Sequence, residues 1–180
     1  MYGNNPKSTA QIAGHPIHPM LVPLPIASFI GALATDVAGK VTGDPAWSRA
    51  SKWLLGAGLV TALGAAAAGL TDYLGDERVP EIPAARQHMY ANLSLVGLEA
   101  VNLGWRLVSD EEPPPAGAIW LSAAAAGLVG YSGWLGGELS YRHRVGVQET
   151  EDEFSGYDDG HAEGGLGIPR GPALKEKMAE

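Results

Sequence analysis

The chain of 180 residues contains no cysteine. That excludes disulfides, thiolate metal sites and thiol nucleophiles. Basic residues are scarce as well: Lys and Arg number 12 against 20 Asp and Glu, for a formal net charge of −8. Proteins that bind nucleic acid need grouped Lys and Arg to neutralise phosphates, so no nucleic-acid partner is expected. No phosphate-binding glycine loop, dinucleotide fingerprint or zinc-protease helix motif is present, and nothing in the chain points to an enzyme. The first 19 residues are polar and lack the apolar stretch of a cleavable signal peptide.

The acidic balance is local. From Val145 to Glu180 there are nine carboxylates and three basic residues, which accounts for −6 of the −8. A charged, aromatic-poor segment of this kind is expected to be disordered, and residues 149–180 are read as an acidic tail. Residues 1–13 are read as a flexible lead, and 14–148 as the folded domain.

Within that domain four apolar stretches stand out, at about residues 20–41, 53–73, 89–108 and 118–141. Each is about 20 residues long and, as a helix, about 30 Å, the thickness of the hydrocarbon core. Backbone polar groups in lipid must be satisfied within the segment, which requires helices. The expected fold is an all-α, integral membrane four-helix bundle with short loops and both termini on the same side. Asp44-Pro45 reads as an N-cap followed by proline at the first helical position. Proline pairs and triplets at Pro80 and Pro83 and at Pro113–Pro115 separate the later helices. Trp47, Trp53, Trp105, Trp120, Tyr73 and Tyr141 fall where headgroups are expected. Glycines of the second and fourth helices are expected to let helices approach closely.

Antiparallel helices bring the N-terminus, the loop 74–88 and the C-terminal tail to one side, the terminal face. This face carries Lys7, Arg78, Arg86, Arg142 and Arg144; the opposite, loop face carries Lys40, Arg49, Lys52 and Arg106. Five against four is too even for the positive-inside rule to decide the orientation, and a cytoplasmic terminal face is taken as the expectation. His15, His18, His88 and His143 all lie at the terminal face, with Asp72 beside them. Histidines delivered from separate helices suit a haem or a metal, the carboxylate serving as ligand or as an acceptor for an imidazole. Iron, zinc and copper are all chemically acceptable. In the third helix, His88, Asn92, Glu99 and Asn102 form one stripe, and a mid-membrane carboxyl such as Glu99 must face the interior or a water-filled cavity. Glu138 is expected to approach the same interior. Prolines 16, 19, 23 and 25 are expected to prevent a regular helix start and to hold His15 and His18 rigidly over the bundle.

The run from Gly14 to Ile26, GHPIHPMLVPLPI, resembles the opening of a family of bacterial membrane proteins catalogued as domain of unknown function 2231. Gly69-Leu70-Thr71-Asp72-Tyr73, His88 with Asn92, and the segment Gly136–Val147 are similar to that family's later motifs, in the same order, over about residues 12 to 148. The resemblance implies a four-helix domain in the bacterial inner membrane, and its motif histidines carry over as His15, His18 and His88. Family members are sometimes joined to a Rieske-type iron–sulfur domain, which hints at redox chemistry. Three functions remain open: a redox module binding haem b or a divalent transition metal, a proton-handling or transport protein, and an anchor without chemistry. Lipid is the expected partner in each case, with a redox or membrane-protein partner or a second copy of the chain in addition.

Overall fold

A computed structural model describes residues 5–109 and 116–147. The acidic tail and the Pro113–Pro115 loop lie outside the described residues. A small hairpin, β1 (Gln11–Ile12) with β2 (His15–Pro16), leads into a short helix α1 (Ile17–Leu21). Four long helices follow: α2 (Pro23–Thr42), α3 (Pro45–Gly75), α4 (Pro83–Ser109) and α5 (Ala116–Tyr141). The all-α membrane bundle of the sequence reading is thus observed.

Helix starts follow local chemistry. Asp44 caps α3 by accepting from the Ala46 N–H at 2.8 Å, with Pro45 at the first position. At the other end of the chain the proline-rich entry departs from expectation. The chain turns helical at Ile17, with Pro19 inside α1 and Pro23 opening α2. The prolines are tolerated because each stands in a first turn, where the missing N–H has no intrahelical acceptor to lose. Only His15 and Pro16 are extended, and the hairpin turn beside them places Ala13 and Gly14 at φ 49° and 80°. Residues 8–10, within the supposed flexible lead, are clamped to α3. The Ser8 hydroxyl and the N–H groups of Thr9 and Ala10 all donate to Asp72 Oδ1, at 2.8, 2.7 and 2.8 Å. Both ends of the domain meet there, the Gly146 N–H donating to the Pro6 carbonyl at 2.8 Å.

Three of the helical stretches (Ile17–Thr42, α3 and α5) are long and apolar enough to cross a membrane. The 27-residue α4 has the length but not the mean hydropathy. Its polar residues point inward: Glu99, Asn102 and Arg106 are buried, while Tyr90, Leu93, Val101, Leu107 and Val108 are exposed. Polar inside and apolar outside is the inverse of a helix on a water-soluble protein. The exposed Trp53, Trp120 and Tyr141 fit the expected aromatic rims.

The bundle is built twice. The buried residues Pro25, Phe29, Ala32 and Asp36 of α2 correspond, at a constant shift of 70 in residue number, to Leu95, Glu99, Asn102 and Arg106 of α4. For α3 and α5 the shift is 67: Ser51, Leu55, Gly58, Ala62, Ala65 and Ala68 match Ala118, Ser122, Ala125, Val129, Ser132 and Leu135, all buried. Trp53-Leu54 matches Trp120-Leu121, and Gly69 matches Gly136. Within each unit the helices pack closely, α2 on α3 and α4 on α5; between units α2 meets α5 and α3 meets α4. This is the arrangement of two parallel repeats about an axis running along the bundle.

Only some of the glycines serve the close packing expected of them. Gly58 faces the ring of Phe29, and Gly69 and Gly136 face histidines, whereas Gly56, Gly127, Gly130, Gly133 and Gly137 have nothing within 4 Å of a would-be Cβ. At mid-height Phe29, Leu55, Ala62, Leu95, Ala125 and Val129 form an apolar layer. One polar site lies at the terminal face above it and another in the loop-face half below.

Candidate functional site

At the terminal face, His18 lies in α1 and His88 in the second turn of α4, and the two repeats make these residues equivalent. His18 Nδ1 stands 2.8 Å from the Ala65 carbonyl of α3. His88 Nδ1 stands 3.0 Å from the Ser132 carbonyl of α5, with the Ser132 hydroxyl at 3.2 Å. A carbonyl only accepts, so each Nδ1 carries the proton and, in the neutral ring, each Nε2 has a free lone pair. A glycine stands four residues beyond each carbonyl, Gly69 after Ala65 and Gly136 after Ser132. These positions lie against the rings: a Cβ on Gly69 would fall 2.8 Å from His18 Nδ1, and one on Gly136 would fall 3.4 Å from His88 Cε1. The paired glycines thus leave room for an imidazole to reach a helix carbonyl. The ring centres lie 6.2 Å apart with their planes at 88°.

The other residues expected at this face serve different ends. His15 is exposed, its Nδ1 3.0 Å from the Ala13 carbonyl in the hairpin turn. Asp72 gives its Oδ1 to the clamp on residues 8–10 rather than to an imidazole. His143 follows the end of α5, half-buried, its backbone N–H on the Glu138 carbonyl. Among the described residues no three His, Asp or Glu side chains come together as a ready-made metal cage.

The expected polar stripe of α4 divides in two. Asn92 donates to the His88 carbonyl of its own helix at 2.8 Å, and Leu95, within the apolar layer, interrupts the stripe below it. Glu138 does not enter the interior; it pairs with Arg142 one turn away, towards solvent. The reason is position: Glu138 lies in the last turn of α5, where a paired side chain reaches the surface at little cost.

Below the apolar layer is a cluster that the sequence reading did not assemble. Arg106, taken there as a loop-face cation, is 1% exposed and forms a two-pronged ion pair with Asp36, at 2.6 and 2.7 Å. Its guanidinium also donates to Asn102 Oδ1 (2.9 Å), the Ser51 and Ser122 hydroxyls (3.0 and 3.1 Å) and the Ala118 carbonyl (3.2 Å). All five of its N–H donors therefore have acceptors. Ser122 donates in turn to Asp36 Oδ2 at 2.8 Å. Because Asn102 Oδ1 accepts from Arg106, its amide nitrogen faces Ser122 at 3.0 Å and Glu99 Oε2 at 2.8 Å. Asp36 and Arg106 are themselves repeat-equivalent, so the pair crosses the middle of the bundle between α2 and α4. The signal in the sequence was the matched spacing, from His18 to Asp36 and from His88 to Arg106.

The family model described as Predicted membrane protein (DUF2231) matches residues 14–149. The chain belongs to that family. The match runs from the hairpin turn to just past α5, so in this DUF2231 protein both polar sites fall inside the family domain. No curated protein and no solved structure matches the chain.

Proposed function

We propose that this membrane protein is a redox module holding a metal centre between His18 and His88, one histidine from each repeat. The observation that carries the reading is the spacing of the rings. A metal between two imidazoles lies about 2 Å from each nitrogen, and each nitrogen about 1.1 Å from its ring centre, which puts the ring centres roughly 6 Å apart. The observed 6.2 Å suits that arrangement. Nδ1–H held by a backbone carbonyl with Nε2 left open is also the usual preparation of a ligating histidine. Two protein ligands are enough for haem iron, whose other ligands come from the porphyrin, whereas structural zinc takes four. Haem b is therefore the favoured occupant, and a low-coordinate transition-metal ion the second.

The decisive test is the visible spectrum and metal content of the protein purified in mild detergent and reconstituted with haem. The expected result is a Soret band that shifts on reduction and is lost in His18→Ala and His88→Ala but kept in His15→Ala. Stoichiometric metal without such a band would replace haem with a bare ion. A colourless, metal-free protein after reconstitution with haem and with transition metals would end the proposal.

We also place the terminal face in the cytoplasm of a bacterial inner membrane. Arg106 is buried against Asp36 and leaves the count of interfacial charges, so the bias becomes Lys7, Arg78, Arg86, Arg142 and Arg144 against Lys40, Arg49 and Lys52. Single cysteines introduced at Gly43 and Arg144 can be labelled from either side without background, since the chain has no cysteine of its own. Labelling of the Arg144→Cys variant by an impermeant reagent on intact cells would reverse this orientation.

A further inference from the structure

We propose that Glu99 is a reversible proton-binding site opening towards the loop face, separate from the histidine pair. Glu99 is fully buried, and only one of its carboxyl oxygens is engaged: Oε2 accepts from Asn102, while Oε1 has no hydrogen-bond partner. The ionisable groups around it are few. Among the described residues Asp36 comes from α2 and Arg106 from Glu99's own helix, with the hydroxyls of Ser51 from α3 and Ser122 from α5 joined to that pair. Asp36 and Arg106 cancel in their two-pronged pair. An ionised Glu99 therefore leaves one uncompensated negative charge at membrane depth, and a proton on the carboxyl removes it.

The repeats show that the fold does not require this carboxyl. The equivalent of Glu99 is Phe29, and the equivalent of Asn102 is Ala32, both apolar and both buried. One unit thus fills these positions with hydrocarbon, the other with a carboxyl and the amide that tethers it to the ion pair. Direction follows from the layering. Towards the terminal face lie Leu95, Ala62 and Val129 of the apolar layer, while towards the loops lie Asn102, Ser122, Ser51, Asp36 and Arg106.

 Leu95, one turn before Glu99 on α4, seals the terminal side. On release, the carboxyl O–H bond breaks, the electron pair stays on Glu99, and the proton passes to water at the loop face. The charge left behind is then shared through Asn102 with the Arg106 guanidinium.

The test is infrared difference spectroscopy of the protein in lipid nanodiscs as pH is raised and returned, with isotope-labelled glutamate to tell Glu99 from Asp36. The expected result is a protonated-carboxyl band at neutral pH that shifts with the glutamate label, disappears reversibly at higher pH and is absent in Glu99→Gln. It should persist in Glu138→Gln, since that carboxylate is paired outside the interior. In Glu99→Asp the band should remain but move in frequency and in midpoint, which keeps the test informative if the Gln variant fails to fold. Absence of the band from wild-type protein, its survival in Glu99→Gln, or insensitivity to the glutamate label would each overturn the proposal. A band that stays fixed until the protein unfolds would do the same, by making Glu99 a permanently neutral carboxyl.

Discussion

The buried charges of this bundle are not equivalent, and single substitutions should separate them. Asp36 neutralises a guanidinium that is buried inside the bundle. Replacing Asp36 with Asn keeps the shape but leaves Arg106 uncompensated, a change expected to cost about 3–5 kcal/mol. Glu99→Gln removes an ionisable group whose charge nothing cancels, and Gln keeps an oxygen to accept from Asn102. Thermal unfolding in detergent should therefore show a large loss for Asp36→Asn and little change for Glu99→Gln. Equal losses would mean that Glu99 is ionised and structurally required. The glycines beside the histidines also differ. A methyl at Gly69 would collide with the His18 ring at 2.8 Å, whereas at Gly136 the 3.4 Å approach to His88 is tight but tolerable. If the histidines bind a metal, Gly69→Ala should weaken binding by about 10- to 100-fold and Gly136→Ala by less. Titration of the two variants with haem or metal would check the order.

At the scale of helices, α4 shows what a sequence can and cannot disclose. Its stripe through His88, Asn92, Glu99 and Asn102 was readable because helical periodicity alone sets which residues share a face. The missing members, Leu95 and Arg106, lie on the same face. Arg106 was misplaced because an arginine near a helix end ordinarily reaches the headgroups, and only the partner on α2 shows why this one turns inward. Asp36 escaped notice for the same reason: a lone carboxylate in an apolar stretch has no visible partner until the helices are packed. The opposite error affected Glu138, whose partner is an arginine one turn away, while Asp72 is taken up by the distant backbone of residues 8–10. Repeat equivalence gives the element-scale prediction. Since Asp36 and Arg106 occupy matching positions, the double swap Asp36→Arg with Arg106→Asp should recover much of the stability lost by either single change. A double variant as unstable as the sum of the singles would show that Ser51, Ser122 and the Ala118 carbonyl fix the polarity of the pair.

The whole molecule places its two polar sites where the repeats face each other, the histidines at one end and the ion pair towards the other. Each site takes one principal residue from each unit, so neither unit alone contains a complete site. Separated, the first unit would bury Asp36 without its guanidinium and the second Arg106 without its carboxylate, both costly in lipid. The two units are joined only through the short segment between Gly75 and Pro83, whose Glu81 is exposed. A chain divided after Glu81 keeps every contact within each unit, including the clamp of residues 8–10 on Asp72. Co-expressed, residues 1–81 and 82–180 should therefore assemble in the membrane and copurify through a tag on either piece. Asp36→Asn in the first piece should weaken that association, and Arg106→Ala in the second should do so as well, because each removes one side of the bridge between units. Pieces that insert stably yet fail to copurify would show that the bundle depends on the covalent link rather than on the paired charges at its centre.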